Sequence, residues 1–317
     1  MKDGLPPSGT IGKFQHPDWT AQGERRATVA LGTLQTLWFN TGTLCNIACL
    51  NCYIESSPTN DRLEYITPAE VRRYLDELDG PAWSAREIGF TGGEPFLNPG
   101  FLEMLGDCLA RGYAVLVLTN AMKPMMRPRV QAGLKALHAE YGDQLTLRVS
   151  LDHFAAARHD DERGAGSFAA SLAGMDWIRD AGLRMSVAGR TMWDEPEADI
   201  RAGFAKLFQD RGYDVDASDP AQCVLFPEMD AQADVPEITT ACWGILGKRP
   251  ESVMCATSRM VVKRKGAARP SVLACTLLPY EAEFELGETL AEAARPVALN
   301  HPHCAKFCVL GGASCSA

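Results

Sequence analysis

Thr41-Gly42-Thr43-Leu44-Cys45-Asn46-Ile47-Ala48-Cys49-Leu50-Asn51-Cys52-Tyr53 is the stretch around which the rest of the chain is organised. It follows the apolar run 34–39, which reads as a strand, and it carries three cysteines in a CxxxCxxC pattern. Thiolates spaced this closely can wrap one corner of an iron–sulfur cube if the backbone curls into a tight loop, which Gly42 and Asn46 suit. No fourth ligand lies nearby. Three cysteines on a four-iron cluster leave one iron open, where a substrate or cofactor can bind and react.

Working outward, the run Glu87-Ile88-Gly89-Phe90-Thr91 ends in Gly92-Gly93-Glu94-Pro95. Further short apolar runs at 114–119, 145–151, 184–188 and 223–226 have the character of buried parallel strands. Helical stretches alternate with them. Thr67-Pro68-Ala69-Glu70 predicts a capping box with proline in the first helical turn, the helix running to Leu78 before Asp79-Gly80-Pro81. Others are predicted at 101–110, 128–141, 167–181 and 197–210, the last two stopped by Gly182 and Gly212. Repeated strand-then-helix units imply a parallel sheet with right-handed crossovers, open or curved into a partial barrel. In such sheets ligands sit at the carboxyl ends of the strands. Glycines there let the backbone approach a ligand, and Glu94 can accept hydrogen bonds from an ammonium group.

A strand then CxxxCxxC, followed by a strand then GGEP, resembles the radical S-adenosylmethionine (radical SAM) enzymes. The resemblance implies the α/β fold of that family, a partial (β/α)6 TIM-like barrel over residues 34–226. It implies a [4Fe-4S] cluster on Cys45, Cys49 and Cys52, with the methionyl amino group of SAM held at Gly92, Gly93, Glu94 and Pro95. Asn120, Ser150 and Asp152, at the ends of the next two strands, become candidates for the ribose and carboxylate of SAM. Arg190 is a further carboxylate candidate, because a guanidinium matches a carboxylate bidentately. The residue before the third cysteine, aromatic in the family, is Asn51 here, with Tyr53 beside it. His153 either faces substrate or caps. His159-Asp160 and Arg163-Gly164 resemble the segment joining this strand to its helix in the peptide-modifying branch.

The chain changes character near Pro227. Runs 253–262 and 271–275, separated by a polar turn at Lys265-Gly266, predict a β-hairpin with Cys255 and Cys275 on its two strands. A helical patch is predicted at 286–294, and Cys304, Cys308 and Cys315 follow. This resembles the SPASM and twitch extensions of radical SAM enzymes, a small cysteine-rich α+β domain at 227–317. It implies one auxiliary iron–sulfur cluster on Cys255, Cys275 and two among Cys304, Cys308 and Cys315. The spacing is CxxxC where those extensions usually have CxxC. Structural zinc is the rival, since four cysteines bind it equally well. Cys223 and Cys242 are spare ligands or buried thiols, and Cys108 reads as core.

Composition sets the outer bounds. A formal charge of −9 speaks against a nucleic-acid surface, and the basic knot Lys263-Arg264-Lys265 with Arg269 reads as a solvated hairpin turn. No signal peptide or membrane-spanning run is visible, which predicts a cytoplasmic protein with no membrane partner. There, 11 cysteines read as metal ligands rather than a disulfide framework. Residues 1–33, rich in turn formers, predict an arm packed on the barrel, with His16 and Trp19 as anchors. The family's mechanism implies one-electron cleavage of SAM to a 5′-deoxyadenosyl radical that takes a hydrogen atom from a peptide or small-molecule substrate. The electron comes from a donor such as flavodoxin or ferredoxin. No residue is singled out as a catalytic acid or base. An iron–sulfur electron carrier and a zinc-stabilised binding module are the competing classes.

Overall fold

The computed structural model describes residues 12–230 and 232–312. After a short strand β1 (Thr28–Val29), the chain builds one sheet by alternation. Its elements are β2 (Thr36–Asn40), α1 (Pro68–Leu78), β3 (Glu87–Thr91), α2 (Phe101–Ala110), β4 (Ala114–Thr119), α3 (Pro128–Tyr141) and β5 (Leu145–Ser150). Two helices follow, α4 (Ala156–Arg163) and α5 (Ser167–Asp180), then β6 (Arg184–Thr191), α6 (Glu197–Arg211) and β7 (Cys223–Pro227). Each of β2 to β7 is parallel to the next, in chain order. The predicted capping box is present: Thr67 accepts from the Glu70 amide while Glu70 accepts from Thr67. Such caps are worth about 1 kcal/mol.

Phe39, Phe90 and Tyr74 are fully buried between sheet and helices, with Phe39 stacked on Phe90 at 5.7 Å, while Trp38, on the other face of β2, is buried over Gly89. The sheet is curved, since one cavity is lined from the ends of β2 through β7: Cys45, Thr91, Thr119, Ser150, Arg190 and Phe226 all reach it. This is a partial barrel.

The last third continues the sheet of the barrel. After α7 (Cys242–Leu246), strand β8 (Ser258–Val262) lies parallel against β2, β9 (Ser271–Leu273) adds antiparallel to β8, and β10 (Glu285–Gly287) adds antiparallel to β9. The result is a continuous 9-stranded sheet, β10-β9-β8-β2-β3-β4-β5-β6-β7. The hairpin is present, but Cys255 precedes β8 in a 3-10 turn and Cys275 lies just beyond β9. The helix predicted at 286–294 is replaced by β10 and a 3-10 turn at Glu292–Ala294. Gly287, at φ +143°, breaks helical geometry there. Finally β11 (Val297–Ala298) pairs with β1, so the N-terminal arm packs on the C-terminal segment rather than on the barrel helices. Within the arm the His16 carbonyl accepts from Arg26 and Arg25 lies over the Trp19 ring, while Arg26 pairs with Glu237. The basic turn is neutralised: Lys263 meets Glu70, Arg264 meets Glu285, Lys265 meets Asp61 and Arg269 meets Glu288. Among the described residues no helix is long and apolar enough to cross a membrane.

Candidate active site at the strand ends

The cysteine loop leaves β2 through Asn40, whose side chain accepts from the Gly42 amide at 2.9 Å. It then docks on the turn after β3. The Gly93 amide donates to the Gly42 carbonyl at 2.8 Å and the Glu94 amide to the Leu44 carbonyl at 3.1 Å. A Cβ on Gly93 would lie 2.1 Å from the Leu44 carbonyl oxygen, and one on Gly92, at φ +138°, 2.6 Å from that of Gly42. The two glycines therefore admit the backbone of the cysteine loop. Their expected role, close approach to a ligand, is only part of the account: both also line the cavity.

Glu94 is held by the protein's own donors. It is buried, and its carboxylate accepts from the Thr119 hydroxyl at 2.9 and 3.0 Å, the Asn120 amide at 2.9 Å and the Phe96 amide at 3.2 Å. Burial pushes it up to about 7 against these hydrogen bonds. Neither Glu94 nor Pro95 lines the cavity. Glu94 ties β3 to β4, and Pro95 opens a short 3-10 turn.

The other flank of the loop is held by α4. The Leu50 amide donates to the Glu162 carbonyl at 2.9 Å, and Asn51 donates to both Glu162 carboxylate oxygens at 2.8 and 3.0 Å. This accounts for a polar residue at the family's aromatic position. Asn120 braces the loop from β4, donating to Asn46 at 2.9 Å with the Cys45 sulfur 3.8 Å away. The Ser56 amide donates to the Cys52 sulfur at 3.3 Å. All three thiols line the cavity; burial pushes Cys45 up to about 12 and raises Cys49 as well. Binding metal there means displacing protons from neutral thiols.

Opposite the thiols lie Asp152, Arg163 and Arg190. Arg163 grips Asp152 bidentately at 2.6 and 2.8 Å, and Arg190 Nε lies 3.6 Å from the same carboxylate. Burial raises Asp152, but the two guanidiniums overcome it and hold the carboxyl below its ordinary range. Arg190 Nη2 donates to the Asn51 carbonyl at 2.9 Å, while Nη1 is buried with no hydrogen-bond partner. Ser150 lines the same space. His153 proves to be a cap: it accepts from the Ala155 amide at 2.9 Å and meets Glu195 at 3.1 Å, away from the cavity. Arg163 and Glu162 were not among the sequence candidates; the Arg163-Gly164 segment was the one signal pointing to them.

The cavity encloses about 970 Å³ counted out to its open mouth, and Phe226, Met229, Leu277 and Phe307 from the last third close its far wall. Behind that wall lies a second group of thiols. Cys255 and Cys275 are the electrostatic neighbours of Cys304, which begins the π-helical segment Cys304–Leu310, with Cys308 one turn further on. The Leu277 amide donates to the Cys275 sulfur at 3.3 Å, so one residue belongs to both the thiol group and the cavity wall. Cys315 lies outside the described residues. Cys108 and Cys223 are core residues, and Cys242 accepts from the Thr239 amide at 3.4 Å. Among the described residues no three His, Cys, Asp or Glu side chains converge as a single-ion site requires.

A cavity ringed by the carboxyl ends of parallel strands is where α/β-barrel enzymes hold their cofactors. The family follows from sequence: residues 39–202 match the Radical SAM superfamily, and the chain belongs to it. The antilisterial bacteriocin subtilosin biosynthesis protein AlbA of Bacillus subtilis (strain 168) is 30% identical over 261 residues, covering 77% of this chain and 54% of AlbA. Mycofactocin maturase MftC of Mycobacterium ulcerans (strain Agy99) is 33% identical over 139 residues, 44% of this chain and 35% of MftC. This chain thus spans about half, or less, of the curated relatives it matches. Streptococcus suis SuiB, solved bound to S-adenosylmethionine, superposes with a TM-score of 0.58 at 10% identity, covering 80% of this chain and 63% of SuiB. That likeness shows the fold.

Proposed function

We propose that this chain is a SAM-cleaving enzyme that modifies a peptide. The observation that carries this reading is the meeting, in one cavity, of three thiols on a buttressed loop with an arginine whose Nη1 is buried and unpartnered. Both features fit the cofactors of the family. Cys45, Cys49 and Cys52 would hold a [4Fe-4S] cluster with one iron left open. When bound, the cluster and SAM supply one-electron cleavage of the sulfonium and hydrogen-atom abstraction from substrate.

The chain's own residues orient and shield. Arg190 Nη1 offers its free donor to a carboxylate, and Asp152, fixed by Arg163, sets the guanidinium plane. Ser150, Asn120 and the Gly92–Gly93 backbone complete the walls. Phe226, Met229 and Phe307 keep water from the reacting groups. Cys255, Cys275, Cys304 and Cys308 would hold an auxiliary iron–sulfur cluster, with Cys315 the alternative to Cys308. A peptide substrate is supported by the named roles of the relatives, a bacteriocin biosynthesis protein and a maturase, and by SuiB having been solved with a precursor peptide. A flavodoxin or ferredoxin in the cytoplasm would supply the electron.

The test is iron content and 5′-deoxyadenosine formation after anaerobic reconstitution, comparing wild type with the Cys45/Cys49/Cys52 triple Ala variant. About eight irons falling to about four, with cleavage lost, supports two four-iron clusters. Cleavage undiminished in the variant refutes the assignment.

A further inference from the structure

Arg259, on β8, is only 1% exposed and among the largest fully buried side chains. Its hydrogen bonds run to neutral carbonyls: Nε to Ala293 at 2.9 Å, Nη1 to Cys255 at 2.5 Å and Ser258 at 2.8 Å, and Nη2 to Arg295 at 3.4 Å. No carboxylate among the described residues lies within ion-pair distance of it. Two other buried arginines do have such partners, Arg26 with Glu237 and Arg163 with Asp152. The Nη1 bond to the Cys255 carbonyl sets the guanidinium against the turn that bears that thiol, and Cys255 and Cys275 are its neighbouring acidic groups, neutral as thiols. A buried cation without a counter-charge costs several kcal/mol, and proteins rarely retain one without use for it.

We infer that Arg259 is the built-in counter-cation of the thiolate-bound cluster held by Cys255, Cys275 and Cys304, neutralising its negative charge and raising its reduction potential. This inference rests on the auxiliary-cluster reading above. A cluster with thiolate ligands is anionic and gains a further negative charge on reduction, so a fixed cation stabilises the reduced form more than the oxidised one. Position serves the same end. Through its carbonyl bonds Arg259 joins the turn bearing Cys255 to the segment at Ala293 and Arg295, so the charge is held rigidly beside the thiols.

The experiment uses the full-length chain with Cys45, Cys49 and Cys52 changed to Ala, so that any remaining cluster signal comes from the C-terminal thiols. Iron per chain and the midpoint of an EPR-monitored redox titration are compared for Arg259, Arg259→Lys and Arg259→Gln. Lys keeps the charge and loses the fork; Gln keeps a donor and loses the charge. The expected result is a midpoint within a few-fold of the parent for Lys. For Gln, the reduced-to-oxidised ratio at a set potential falls about tenfold, which is about 59 mV for one electron. Loading by Lys but not by Gln also supports the charge. An unchanged midpoint for Gln, or equal failure of both variants to load iron, would show a carbonyl staple and overturn the inference. If the parent itself binds no iron, the auxiliary-cluster reading fails instead, and the two failures are told apart.

Discussion

The two thiol groups solve the placement of anionic sulfur in opposite ways. At the strand ends, Cys45, Cys49 and Cys52 come from one loop and face an open cavity where the one carboxylate of Asp152 meets two guanidiniums, Arg163 and Arg190. Behind the wall, Cys255, Cys275 and Cys304 come from three separate pieces of chain, and the guanidinium beside them has no carboxylate. The first site carries one guanidinium in excess of its carboxylate and keeps a donor with no partner in the protein. The second has a buried guanidinium with no carboxylate partner among the described residues, which ionised and bound thiols would settle on the auxiliary-cluster proposal. An open site suits exchange of a cofactor, and a sealed one suits a resident group.

The sharpest break in that comparison is a pair of single substitutions. Cys49→Ala is expected to abolish 5′-deoxyadenosine formation to background. Cys275→Ala is expected to leave it within about tenfold while about four irons are lost. Equal loss of cleavage in both would make the two sites one functional unit.

Next in size is Arg163→Gln. Removing one partner of a buried bidentate pair leaves Asp152 with Arg190 alone, 3.6 Å away and without a hydrogen bond, at a cost approaching the roughly 3–5 kcal/mol of a broken buried pair. Urea unfolding of the metal-free chain measures it. A change below 1 kcal/mol would mean that Arg190 alone satisfies the carboxylate.

Much of the first site was legible because it is local. The strand before the cysteines, the GGEP turn and five of the helices follow from short-range pattern, and 87–91, 114–119 and 101–110 agree with the structure to the residue. What pattern cannot show is which loop fills the space a glycine leaves. Gly92 and Gly93 face the cysteine loop across about 50 positions of chain, and nothing near Glu94 signals that Thr119 and Asn120 will claim its carboxylate. The same holds for β8, whose parallel pairing with β2 joins residues more than 200 apart. Asn51 looked like a departure because its partner, Glu162, lies on a helix the pattern did not resolve.

Glu94 supplies a prediction in pH. With its folded value raised to about 7 and an ordinary unfolded value, Glu94 favours the folded state fully below the unfolded pKa. That contribution is lost as pH rises through 7, about 3 kcal/mol in all. Buried His159, His301 and His303, pushed to about 4, impose the opposite slope between pH 4 and 6.5. The quantity to measure is therefore the difference between wild type and Glu94→Gln, by urea unfolding of the metal-free chain from pH 5 to 8. The wild type should lose stability relative to the variant over that range. A flat difference would mean that the Thr119 and Asn120 donors hold Glu94 ionised.

The smallest effect tests the spare donor itself. Arg190→Lys keeps a cation beside Asp152 at the mouth of the cavity but removes the planar fork. Because Nη1 has no partner in the protein, its loss should leave unfolding unchanged within about 0.5 kcal/mol. A carboxylate-bearing ligand would lose one charge-assisted hydrogen bond, so SAM binding, followed by calorimetry on the reconstituted enzyme, should weaken about tenfold, or about 1.4 kcal/mol. Weakened folding with unchanged SAM affinity would reverse the assignment, making Arg190 a clamp on the Asn51 carbonyl and leaving the ligand's carboxylate to another group. The open site would then share with the sealed one an arginine that serves the loop before it serves the ligand.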